Sequence, residues 1–204
     1  SYQGLPLTHF PPGFPTLLAA AARLLGTTPI AAARYVQALL LGFSVLLLAW
    51  TAYHSSSGSA SVTAAATLLL AVFTQTYGTH LWVVSEPLSL FLTLASLGFL
   101  VLYLKQSGGG WLLAAAATAG LGTVTRYAAA ALIPVLLWVA WRYTPRNKRL
   151  GTGLAVLLCS AGPFVAWTMR NVLLGQKATN RSLVYHPILV ERWLEFQQSV
   201  VQMA

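Results

Sequence analysis

Apolar residues run through this sequence in blocks of about twenty, the length a helix needs to cross a hydrocarbon core roughly 30 Å thick. Cut at its prolines, glycines and charges, the chain yields one short piece at residues 15–25 and then longer apolar segments at 29–53, 61–84, 87–104, 111–143 and 150–168. Trp50 and Tyr53 close the first long segment as interfacial aromatics do, and a Ser/Gly-rich turn at 55–61 follows it. Pro87 stands where the first turn of a helix tolerates a missing N–H. Lys105 and the glycines 108–110 end that segment.

The stretch 111–143 is too long for one span. As a single helix it would extend about 50 Å at 1.5 Å per residue, and it would put Lys105 on the opposite side from the basic segment "RYTPRNKR", 142–149. Short cytoplasmic loops collect Lys and Arg, so both belong inside. Splitting the stretch at "TVTRY", around Arg126, returns both to that side, and broken helices are tolerated where they line a cavity. The expected fold class is therefore all-α, a polytopic transmembrane helix bundle of about six membrane segments plus a short outer-surface helix. It reads as a single transmembrane domain over 1–204. Residues 1–28 form an outer loop and juxtamembrane helix, 29–170 the membrane helices, and 171–204 a more polar outer-side tail with one amphipathic piece at 191–200. His9, His80, Glu86, Arg126 and Arg170 fall on the outer side, His54 inside.

Composition agrees with lipid as the principal solvent: 57% of the 204 residues are hydrophobic and 7% charged, too few polar side chains to cover a water-exposed globule. The formal charge of +9 would suit nucleic acid only if the cations formed one face. They sit instead at the ends of apolar runs, and no nucleic-acid partner is expected. Cys159 has no second cysteine to pair with and reads as a packing residue. No charged n-region or apolar h-region opens the chain, so a signal peptide is not expected. A transporter's two similar halves are not visible.

Glu86 is the first carboxylate in the sequence, and the next is Glu191. Ser89, Thr93 and Ser96 follow it at helical spacing and share its face. An ionisable group at the edge of hydrocarbon points into a bundle or an aqueous cavity, although an acid favouring a helix N-terminus has the same placement. Arg126 lies in an apolar stretch beside Thr123 and Thr125. Its forked donors suit a phosphate, with an ion pair to Glu86 or a snorkelling side chain as the other readings. Arg34 and Gln37 share a face near the outer start of their helix, as phosphate contacts or as an interfacial anchor. The proline-stiffened "LTHFPPGFP", 7–15, can hold His9 over a cavity, where an imidazole binds a metal or moves a proton. His80 is a further outer-side imidazole. The small-residue patch "AGLG", 119–122, suits close helix packing.

The segment H-x-P-P-G-F-P leading into a short helix, "SEPL" at an outer helix start, and "TRYA" after a small-residue helix together resemble GT-C glycosyltransferases of the protein O-mannosyltransferase and aminoarabinose transferase type. That resemblance covers nearly the whole chain in order and spacing. It implies a multi-pass enzyme of the plasma or inner membrane that moves a sugar from a polyprenyl-phosphate donor, drawn from the membrane lipid, to an acceptor on the extracytoplasmic side. Glu86 and His9 would be catalytic. Arg126, Tyr127, Arg34 and His80 would bind substrate. A divalent metal ion is the cofactor the family allows, its ligands unknown. The family's acidic catalytic motif lies in the first outer loop, and this sequence has no Asp. The chain is therefore expected to be a piece beginning inside that loop and to be inactive alone. The competing reading is a non-enzymatic carrier of a lipid or small solute, or a scaffold subunit.

Overall fold

The computed structural model describes residues 10–175 and 178–179. In chain order its helices are α1 (Gly13–Leu25), α2 (Pro29–Ser55), α3 (Ala60–Val72), α4 (Thr74–Leu81), α5 (Glu86–Gln106), α6 (Gly109–Thr123), α7 (Leu132–Tyr143) and α8 (Arg149–Leu173), with 3₁₀ turns at Tyr127–Ala131 and Arg146–Lys148. No strand occurs among the described residues. Among them, three stretches are long and apolar enough to cross a membrane: Pro29–Ser55, Glu86–Gln106 and Arg146–Leu173. The fold is thus an all-α bundle with shorter apolar helices between its long ones, as the hydropathy blocks predict.

Local chemistry sets the element ends. Gly26 leaves α1 at φ 63°, a left-handed geometry that costs glycine little. Thr28 then caps α2, its side chain accepting from the Ala31 N–H at 3.3 Å, with Pro29 in the first turn. Ser107, at φ 54°, turns α5 sharply into α6. The two helices so joined pack along their length, and Ser96 donates across the seam to the Ala115 carbonyl at 2.9 Å.

Two breaks in the helices shape the end of the bundle where α5 begins. The expected split at Arg126 is present: α6 ends at Thr123, Arg126 is extended at φ −146°, ψ 133°, and a 3₁₀ turn leads into α7. The segment 61–84, expected as one span, is instead divided at Phe73, extended at φ −65°, ψ 110°. The sequence changes there from apolar α3 to "TQTYGTHL", whose Thr79 bonds back to the Thr76 carbonyl at 3.0 Å. Threonine and glycine offer the backbone alternatives to a continuous helix. Residues 82–85 then run on without helix to α5.

The core follows the small residues. Ala115, Ala116 and Ala119 are fully buried in α6 with Leu112, and they meet Leu136, Val139, Ala140, Tyr103 and Val156 from α7, α5 and α8. Closest of all is Gly120, where an added Cβ would lie 2.3 Å from the Cys159 carbonyl oxygen and 3.1 Å from Pro163. Pro163 has no N–H to give the Cys159 carbonyl four residues earlier, and that carbonyl faces the glycine. The "AGLG" patch therefore serves packing. At the far end of α5, the Tyr103 hydroxyl is 3.1 Å from Thr144 Oγ1, and Arg149 Nε donates to the Thr144 carbonyl at 3.0 Å. Lys105 and the basic segment 142–149 consequently gather at one end of the bundle, and Glu86, at the start of α5, lies at the other.

Gly120→Ala is expected to destabilise the bundle by about 1–3 kcal/mol through overpacking against α8. Gly42→Ala, where nothing lies within 4 Å of the new Cβ, is its control. Thermal unfolding in one detergent should show a lowered midpoint for the first variant and not for the second.

Candidate functional site

Glu86 and Arg126 meet. The first residue of α5 and the extended residue after α6 form a carboxylate–guanidinium ion pair through Glu86 Oε1 and Arg126 Nη1, each side chain 40% exposed. Forty residues of sequence separate them, and the break after Thr123 brings them together. Had α6 run on as a helix, Arg126 would have followed the helix axis instead of turning to α5. The ion-pair reading of Arg126 is the one the geometry adopts, and the pair's exposure leaves part of the guanidinium fork facing open space.

That space is a cavity of about 520 Å³ lined by Phe10, Pro11, Phe14, Pro15, Val83, Val84, Ser85, Glu86, Thr125, Arg126, Tyr127 and Ala128. Three separate stretches build it. Residues 10–15 supply an aromatic and proline wall, 82–86 the strap before α5, and 125–128 the turn after α6. The charged pair forms the polar side of an otherwise apolar recess, an arrangement suited to a ligand with an anionic group joined to an apolar body. Tyr127 also packs edge-on against Phe164, with centroids 5.6 Å apart.

The wall is held by backbone. The Gly13 N–H donates to the Val124 carbonyl at 2.7 Å, and a Cβ at Gly13 would sit 2.5 Å from Thr125 Oγ1 and 2.8 Å from that carbonyl. Only glycine lets α1 approach the broken segment so closely. Phe14 then fills the core with Leu18, Ala33, Val36, Leu40, Leu88 and Leu92. The sequence pattern makes the prolines of this segment conspicuous, yet the glycine between them makes the contact. A Gly between Pro and an aromatic was the available signal.

The strap is held by a side chain. Gln37 of α2, 3% exposed, donates from Nε2 to the Trp82 carbonyl at 2.9 Å and to the Val84 carbonyl at 3.1 Å. Arg34, one turn earlier, is exposed and lines a separate recess with Leu25, Gly26, Thr27, Ala31 and Tyr35. The two residues read as one face thus go to different places, the amide inward and the guanidinium outward. His80 lies in α4, its Nδ1 donating to the Thr76 carbonyl at 2.6 Å, and it does not line the cavity. His9 and the amphipathic piece at 191–200 lie outside the described residues. Of the polar stripe beneath Glu86, Ser96 is committed to the α5–α6 seam.

Among the described residues no three His, Cys, Asp or Glu side chains gather around a common point, and the carboxylate at the cavity is engaged by Arg126.

The sequence matches the family described as dolichyl-phosphate-mannose-protein mannosyltransferase over residues 9–167, a stretch that contains every cavity-lining residue. No curated protein and no solved structure matches the chain.

Gly13→Ala is expected to part α1 from the broken segment. Hydrogen exchange followed by mass spectrometry should quicken in peptides covering 13–16 and 124–127 together. Acceleration confined to the first would mean that the contact does not bind the two.

Proposed function

The chain belongs to the dolichyl-phosphate-mannose-protein mannosyltransferase family, a family of membrane glycosyltransferases, and on that premise we propose that its cavity receives the phosphate of a polyprenyl-phosphate sugar. The enzyme then passes the sugar to an acceptor on the extracytoplasmic side. The observation that carries this reading is the Glu86–Arg126 pair at the edge of a recess whose other walls are aromatic, proline and valine side chains. A lipid phosphate is an anion attached to an apolar chain, and the recess offers a partner to each part. A lipid carrier would use the same recess, and it is the family match that favours the transferase.

In this reading Arg126 donates to the donor's phosphate oxygens through the N–H groups that Glu86 leaves available. As the bond from the anomeric carbon to the phosphate oxygen breaks, negative charge grows on that oxygen. A fixed guanidinium stabilises the growth more than it stabilises the ground state. Glu86 orients the guanidinium and keeps it from swinging to the lipid surface. Tyr127 and the residues 10–15 bound the space left for the sugar. Among the described residues no carboxylate or imidazole other than Glu86 lines the cavity, so the base that takes the acceptor's proton is assigned to residues outside those described, with His9 among the candidates.

Orientation follows from charge. Lys105 and the basic segment 142–149 share the end of the bundle opposite the cavity, and the retention of such loops on the cytoplasmic side would open the cavity to the other side of the plasma or inner membrane. The sugar supplied from the lipid and the acceptor arriving from the aqueous side would meet there.

In the full-length protein given a polyprenyl-phosphate sugar, Arg126→Ala and Glu86→Gln are expected to lower transfer by roughly a hundred-fold. Their effect on folding should be small, since a half-exposed pair contributes about 0–1 kcal/mol. Arg126→Lys keeps the charge without the fork and should fall between. Product mass reads the result, and undiminished turnover in both Arg126→Ala and Glu86→Gln would remove the pair from the site.

A further inference from the structure

Residues 82–85 cross from α4 to α5 with little backbone bonding of their own: the Val84 N–H reaches back to the Trp82 carbonyl at 2.9 Å. Nonhelical backbone in an apolar setting leaves carbonyls that cost free energy unless something donates to them. Here a side chain from another helix supplies the donor to the Val84 carbonyl and a second donor to that of Trp82. Gln37 commits both hydrogens of its amide to this strap, one to the Trp82 carbonyl and one to the Val84 carbonyl, while its Oε1 is buried without a partner. An amide placed in a membrane-length apolar helix is itself unfavourable, and half of its bonding capacity goes unused. Hydrophobic packing alone would have been served better by Leu or Met.

What the amide obtains is position. Val83, Val84 and Ser85 line the cavity, and the next residue is Glu86. A fork that grips two carbonyls two residues apart fixes the strap in translation and in rotation, and with it the point from which Glu86 reaches Arg126. We infer that Gln37 is a positioning residue: by clamping the strap 82–85 it sets the Glu86 carboxylate that orients Arg126. The inference rests on the transferase reading for its consequence in catalysis, whereas its structural part stands independently.

Gln37→Met conserves volume and removes both donors. In the full-length protein it is expected to quicken hydrogen exchange in a peptide spanning 81–86 while leaving peptides of α6 and α8 unchanged. It should also raise the KM for the polyprenyl-phosphate donor about five- to ten-fold, the scale of one lost buried hydrogen bond or somewhat more, with the acceptor KM unmoved. Because Gln37 acts through Glu86, adding Gln37→Met to Glu86→Gln should make the donor KM no worse than Glu86→Gln alone. Strictly additive losses would overturn the inference, as would unaltered exchange over 81–86. Should the wild-type protein consume no polyprenyl-phosphate sugar, the functional reading fails, and the exchange measurement still decides whether Gln37 is the clamp.

Discussion

The departures from helix beside the cavity answer to one constraint: in an apolar medium a backbone N–H or C=O must find a partner inside the protein. Continuous helices meet it internally. The two places where the chain leaves helix near Glu86 and Arg126 meet it by reaching to other elements, the Val124 carbonyl to the Gly13 N–H and the Trp82 and Val84 carbonyls to Gln37. The cavity exists because these breaks exist, and the breaks persist because each has an assigned donor. Its walls are thus tied to α1 and α2, elements that contribute no charged group to the ion pair.

The same constraint explains the uneven use of small residues. Gly13 and Gly120 are both sites where a Cβ would collide with a carbonyl oxygen, yet they serve different ends. Gly120 lets α6 lie against α8 beside the proline of that helix, which holds the bundle together. Gly13 lets α1 dock on the nonhelical turn before Arg126, which shapes the recess. The alanines of α6 pack around Leu112 between α5, α7 and α8, so that a thin helix can occupy the middle of the bundle.

Much of the architecture was legible in the sequence. The lengths of the apolar blocks, the basic residues at their ends and the need to keep Lys105 with 142–149 were enough to require a break at Arg126, and Thr123–Arg126 provides it. The break at Phe73 was less legible, because 61–84 is apolar on average and only the polar run 74–80 marks the division. For the site, Glu86 and Arg126 stood out as charges in apolar surroundings, and their pairing was foreseeable as one of several outcomes. The roles of Gln37 and Gly13 were not. Both depend on where a distant carbonyl lies, a relation between elements that no local spacing encodes. Arg34 shows the limit of periodicity: three residues on from it, Gln37 stands only about 60° away around a helix of 3.6 residues per turn, yet the edge between the buried and the exposed face falls between them.

The gathering of Lys105, Arg142, Arg146, Lys148 and Arg149 at one end has an electrical meaning. At the opposite end Glu86 offsets Arg126, so that pair adds no net charge there, and Arg23, Arg34 and Arg170 are the remaining described cations toward that end against five at the other. Moving one elementary charge through a membrane potential is worth about 2.3 kcal/mol per 100 mV. In the orientation proposed above, a membrane potential would favour keeping the more basic end on the negative side. Loss of that voltage would weaken the hold while leaving every contact in the helix core as it was.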